Sequence, residues 1–175
     1  MVEACAFYDG KALLPTKAPS SIIGSDRYYQ WRYTDCHVRN CIAGNDSPVP
    51  DYYLNYGQKY ARRFHTVVRP KLSPEGKYWL DKTVLLFQAA TEALVTTSGT
   101  AELNDHDFRR QLFDLHPQVY EATGFFDLPL RDQWIVVSHV DLKDLFSQEG
   151  FRQIRQLAKD YVPYPGEKLR GNVFD

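Results

Sequence analysis

The chain has 175 residues, 43% of them hydrophobic, with 21 Lys+Arg against 22 Asp+Glu for a formal charge of -1. That length fits one domain whose core is large enough to hold without disulfides or a structural metal, and the composition excludes wholesale disorder. No basic excess marks a nucleic-acid footprint, so nucleic acid is not an expected partner, whereas aromatics are abundant, with 12 Tyr, 10 Phe and 3 Trp.

The N-terminal stretch MVEACAFYDGKALLPTK has no basic segment ahead of an apolar run. No stretch of the chain approaches the roughly 20 apolar residues that span a bilayer. A secretory signal and membrane insertion are therefore not expected. The protein is expected in the cytosol on synthesis, with leaderless export left open. Residues 1–50 hold Pro15, Pro19, Pro48 and Pro50 with Gly10, Gly24 and Gly44, and show no helical period. They are expected to form an irregular, aromatic-rich arm packed on a helical body, with DRYYQWRY at 26–33 extended. Cys36 and Cys41 flank His37 in CHVRNC. Half a zinc site is one reading, but no second Cys/His pair has a matching spacing. Reduced thiols in a loop, and no metal or other cofactor, are the expectation.

From Asp51 the pattern turns helical. Tyr53, Tyr56, Tyr60 and Phe64 form an aromatic stripe, and Arg69-Pro70 ends that helix. Ser73-Pro74-Glu75 is a strong start signal, with an N-cap, a proline in the first turn and an acid beside the helix dipole. The helix it opens should run from Pro74 to about Thr97. Trp79, Leu86, Ala90, Ala93 and Leu94 share one side of it, flanked by Leu80, Val84 and Phe87. A narrow polar stripe of Lys77, Asp81, Gln88 and Glu92 remains, with Lys77 and Asp81 an i,i+4 pair. A helix so widely apolar is central to its domain. Asn104 or Asp105 should cap a segment over 107–115, after which Pro117 opens another turn or two closed by Gly124. Residues 129–140 read as helix despite the strand-like Trp134-Ile135-Val136-Val137, because a lone strand has no partner. Further helices are expected over 141–150 and 151–161. The architecture predicted is mainly α: a compact single-domain helical bundle with a long central helix. Its parts are an arm (1–50), a helical domain (51–162) and a C-terminal tail (163–175).

No Walker loop, GxGxxG, GxSxG or HExxH occurs. Three groups of residues carry chemistry. Asp81, Gln88 and Glu92 project from the central helix, with Asp81 and Glu92 about 16 Å apart along its axis. His106, Asp114 and His116 cluster near a predicted helix end, where a cationic imidazole is favoured. Tyr28, Tyr29, Trp31 and Tyr33, with Tyr52 and Tyr53, are suited to stack on sugars or to form a protein interface.

The runs YYLNYGQKYARRFHTVVRPKLSPEGKYWLDKTVLLFQ (52–88) and FDLHPQVYEATG (113–124) are similar to a recurring block of uncharacterised bacterial proteins, some tied to secreted or contact-dependent antibacterial effectors. The resemblance rests on Tyr-Gly, Ser-Pro and His-Pro punctuation and brings no catalytic residues with it. It implies a bacterial effector or an effector-associated module. Two functions follow as expectations. The first is an effector-type hydrolase acting on a glycan such as peptidoglycan. Glu92 would be its acid or base, Asp81, Asp114 and His116 would support it, and Tyr28, Tyr29, Trp31, Tyr33 and Gln88 would hold substrate. The second is a non-catalytic partner-binding module, such as an immunity, adaptor or chaperone protein, with the arm aromatics as its interface. A polar cleft around Glu92 would mark the first, a flat solvated face the second.

Overall fold

In the computed structural model, which describes residues 14–42, 49–98 and 100–140, Ser73 caps the central helix. Its Oγ accepts the Gly76 N–H at 3.1 Å, and helix α3 runs over Pro74–Ser98. Its start is fixed from outside as well. The buried Asp132 carboxylate accepts from the Ser73 hydroxyl at 2.5 Å and from its backbone N–H at 3.2 Å. Gly76 is required here, because a Cβ at that position would run into the Asp132 carboxylate.

The other α-helices are α1 (Tyr28–Ile42), α2 (Lys59–Arg63), α4 (Asp105–Thr123) and α5 (Leu130–Val137). Among the described residues there is no strand, and no helix is long and apolar enough to cross a membrane. Helix α2 is the middle of a longer rod. Wider π-helical turns precede it at Tyr52–Gln58 and follow it at Phe64–Val68, and a short 3-10 turn at Arg69–Lys71 ends the rod. The predicted stripe is intact, with Tyr53, Tyr56, Tyr60 and Phe64 all buried and Tyr52 beside them. α1 packs closely on this rod at Gly57, where a Cβ would lie 2.6 Å from Cδ1 of Tyr29.

Three expectations are corrected. The arm is not irregular from Tyr28 onward, and DRYYQWRY is not extended, because α1 occupies this stretch. Its buried residues are Tyr28, Tyr29, Arg32, Cys36 and Arg39. That is a helical stripe, but two of its members are arginines, so a search for apolar periodicity misses it. Cys36 and Cys41 accordingly lie on a helix, not in a loop; the Cys36 thiol is buried and unbridged.

The second correction concerns α3. Its buried face comprises Trp79, Leu80, Thr83, Gln88, Thr91, Glu92 and Val95. Half of the supposed polar stripe is therefore inside, while Leu85 is 47% exposed and Leu86 37%. The arm supplies polar partners to Gln88 and Glu92, which makes their burial tolerable. Asp81 pairs with Arg69, not with Lys77.

The third is α4, which passes unbroken through Pro117. An interior proline costs about 3 kcal/mol. Burial of Phe108, Leu112, His116 and Val119 on both sides of Pro117 outweighs it. Asn104 caps this helix by accepting the Asp107 N–H at 3.1 Å, and Gly124 closes it with φ 81°. Residues 130–137 are helical, as expected. The helices expected over 141–150 and 151–161, the tail and Cys5 lie outside the described residues.

Candidate functional site

Glu92 lies in neither of the two expected settings. It is 6% exposed and sits beneath the N-terminal arm. One carboxylate oxygen accepts the Ala18 backbone N–H at 2.7 Å and an Arg32 N–H at 3.1 Å. The other accepts the Tyr28 hydroxyl at 2.9 Å and lies 3.1 Å from Arg32 Nε. The Arg32 side chain is 0% exposed; it also donates to the Thr16 carbonyl. Burial, followed by the neighbouring carboxylate, pushes the Tyr28 phenol well above its ordinary pKa, so it stays a donor. With both oxygens engaged by fixed donors, Glu92 is arranged as a structural anion.

The network continues along α1. Asp35 faces Arg32 at 3.5 Å and Arg39 at 2.8 Å. Arg39 reaches Glu102 at 2.5 Å, and Glu102 accepts the Tyr53 hydroxyl at 2.6 Å. Burial opposes the charge on Arg39, but Glu102 and Asp35 together hold its guanidinium above its usual value. Burial, then Glu102, raises the Cys36 thiol to about 12, which keeps it protonated and unreactive. Sequence reasoning missed Arg32, Arg39 and Glu102. The available signal was the spacing Tyr28, Arg32, Cys36, Arg39, a helical face in which charge replaces apolar residues.

The remaining candidates do not assemble around Glu92. Asp81 is exposed and held by the Arg69 fork at 2.9 and 2.8 Å, which depresses its carboxyl below the ordinary range. Asp114 is exposed on α4. His106 is exposed beside Asp107. His116 is buried in mid-helix, its Nδ1 donating to the Leu112 carbonyl at 2.9 Å. Its ring packs against Phe87 at 4.4 Å and Phe113 at 5.5 Å. Gln88 is fully buried and tethers the arm, accepting the Gly24 N–H at 2.6 Å and donating to the Ser25 carbonyl at 2.7 Å. Among the described residues no group of three or more His, Cys, Asp or Glu is placed to hold a metal ion.

The arm aromatics divide by position. Tyr28 and Tyr29 are buried, the latter raised to about 12 by burial. Trp31 and Tyr33 remain half-buried on the outer side of α1, where Tyr33 stacks on His37 and Val38 is exposed. Trp31 lines a broad groove of about 720 Å³ together with Ile22, Asp26, Arg27, Gln30, Thr34 and Arg62, so the groove carries two cations and one carboxylate. The buried Arg32 guanidinium lies 4.5 Å from the centroid of the indole and props it from within. Among the described residues, neither Arg27 nor Arg62 has a side-chain partner. Compared with protein-family models, curated proteins and solved structures, the chain matches none.

Proposed function

We propose that this protein is a non-catalytic partner-binding module that engages an acidic protein surface through the outer side of α1. The carrying observation is the Trp31 groove. A half-buried indole, propped by a buried guanidinium, is flanked by two exposed arginines with no partner among the described residues. Trp, Tyr and Arg are the residue types that dominate binding energy at protein interfaces. Unpaired cations at a rim favour an acidic partner and speed its approach.

The glycan-hydrolase reading receives less support. Its acid, Glu92, has both oxygens committed to Arg32, Tyr28 and Ala18. Its supporting carboxylates are held or exposed elsewhere. The test has two arms. Purified wild-type protein is incubated with cell-wall sacculi, and it is used as bait in parallel with the R27E/R62E variant. No release of soluble fragments, with a partner retained by wild type and lost from the equally stable variant, supports the module. Release of glycan fragments by wild type overturns it.

A further inference from the structure

A second opening lies between α1, the 52–68 rod, α3 and α4. Its wall is built from the rings of Tyr56, Tyr60, Trp79, Phe87, His116 and Tyr120. Val84 and Val140 are half-buried at its edge. We infer that this cavity is a binding site for a small neutral aromatic molecule, about one ring in size. This inference is independent of the α1 groove.

Three observations carry it. The first is size. The space measures about 70 Å³ and is open on one side; it is several times the roughly 10–15 Å³ that one water requires but about half the engineered 150 Å³ apolar cavity that takes benzene, so a single ring would seat in it with one edge left in the mouth.

The second is the absence of charge from the wall, several of whose polar groups are already bonded to the protein. Gln88 is bonded at both ends of its amide to the arm. Thr83 is paired with Thr123 at 3.0 Å, and Trp79 donates its indole N–H to the same hydroxyl at 3.0 Å. His116 donates to Leu112. None of the lining residues is a Lys, Arg, Asp or Glu. Burial holds the Tyr29, Tyr52 and Tyr120 phenols protonated. A charged ligand entering this wall would lose its hydration and gain no counter-charge.

The third is ring geometry. The wall is already a mosaic of tilted and edge-on pairs: Tyr56 with Tyr60 at 4.6 Å, Phe87 with Tyr120 at 5.8 Å, and Trp79 with Tyr120 at 5.7 Å. A further ring continues this packing with the same offset and edge-to-face preferences.

The experiment is a titration of the isotope-labelled full-length chain with toluene, benzoate and tetramethylammonium, read by NMR at the Val84 methyls and the Trp79 indole N–H. Saturable shifts with toluene are expected, and binding of benzoate at least about ten-fold weaker, because its carboxylate has no partner in the wall. V84W, which fills the edge of the cavity, should abolish the toluene shifts. F87A, which widens it, should keep toluene and add naphthalene. F87A also decides the matter if V84W does not fold. Absence of saturable toluene binding to wild type overturns the site. So does toluene binding that neither variant alters. Saturation by tetramethylammonium without toluene would instead make the cavity a cation cage and equally overturn the assignment.

Discussion

A guanidinium removed from water is tolerated only where fixed acceptors replace its hydration. Arg32 meets that condition at its terminal nitrogens, with Glu92, Asp35 and the Thr16 carbonyl, while its Nε lies 3.1 Å from Glu92 as a charge contact without a hydrogen bond. Removing it strands the buried Glu92 carboxylate. R32M should therefore cost about 3–5 kcal/mol in chemical denaturation. The double variant R32M/E92L, which removes both charges, should recover a large part of that loss. If R32M alone denatures at the wild-type midpoint, the pair is not buried as described. Asp81 is the contrasting case, an exposed carboxylate in an exposed fork. Its folded pKa is depressed by Arg69. The stabilisation is then present above the unfolded aspartate value near 3.8 and is lost as pH falls below it, through the lower folded value. Solvent screening limits it to no more than about 1 kcal/mol. Acid titrations of stability for wild type and D81N should converge below that window and separate above it. Curves that stay parallel from neutral pH to strong acid would remove the Arg69 fork from the account.

At the scale of elements, the start of α3 shows how a local signal and a distant partner combine. Ser73 was legible from the Ser-Pro-Glu run alone, because capping depends on a few consecutive residues. The same logic alone would make S73G nearly neutral. Asp132 changes this, since it takes the Ser73 hydroxyl from 59 positions away. S73A and S73G should both cost about 1–3 kcal/mol, because either leaves a buried carboxylate short of a donor. G76A should also destabilise. Alanine gains roughly 1 kcal/mol of helix propensity over glycine, but its Cβ would collide with the Asp132 carboxylate. A thermal melt in which G76A is more stable than wild type would show that Asp132 moves aside freely. Caps and the aromatic stripe were readable because each follows from local spacing, and α5 because a lone strand at Trp134–Val137 would have had no partner. α1 and the inward turn of Gln88 and Glu92 were not. A polar residue's burial depends on partners that only the tertiary fold brings close, and Arg32 lies 60 positions from Glu92. Pro117 was misread for the same reason, because packing on both sides of α4 overrides the local break.

For the whole molecule, the buried charges join pieces of chain that share little apolar surface pattern. Arg32, Asp35 and Arg39 on α1 lie between Glu92 of α3 and Glu102 of the 3-10 turn at Ala101–Leu103. Two arginines face three carboxylates, and the surplus negative charge is met by the Tyr28 and Tyr53 hydroxyls and the Ala18 N–H. Asp35 is the shared member, touching both arginines through one oxygen. The two ends therefore act on each other although Glu92 and Glu102 do not pair directly. If E92Q weakens the hold on Arg32, Arg32 is freer to lean on Asp35, and Asp35 then serves Arg39 less well. Each of E92Q and E102Q should cost about 1–3 kcal/mol by replacing an acceptor oxygen with an amide donor that faces a guanidinium or phenol. Combined, they should deviate from additivity by more than about 0.5 kcal/mol, because groups in one ion network couple. With Asp35 replaced by asparagine as a background, that coupling should shrink toward zero. The measurement is a denaturant-unfolding cycle of the four Glu92/Glu102 variants, run with and without D35N. Additive costs in the wild-type background would mean two independent clamps, with Arg32–Glu92 and Arg39–Glu102 each holding α1 on its own.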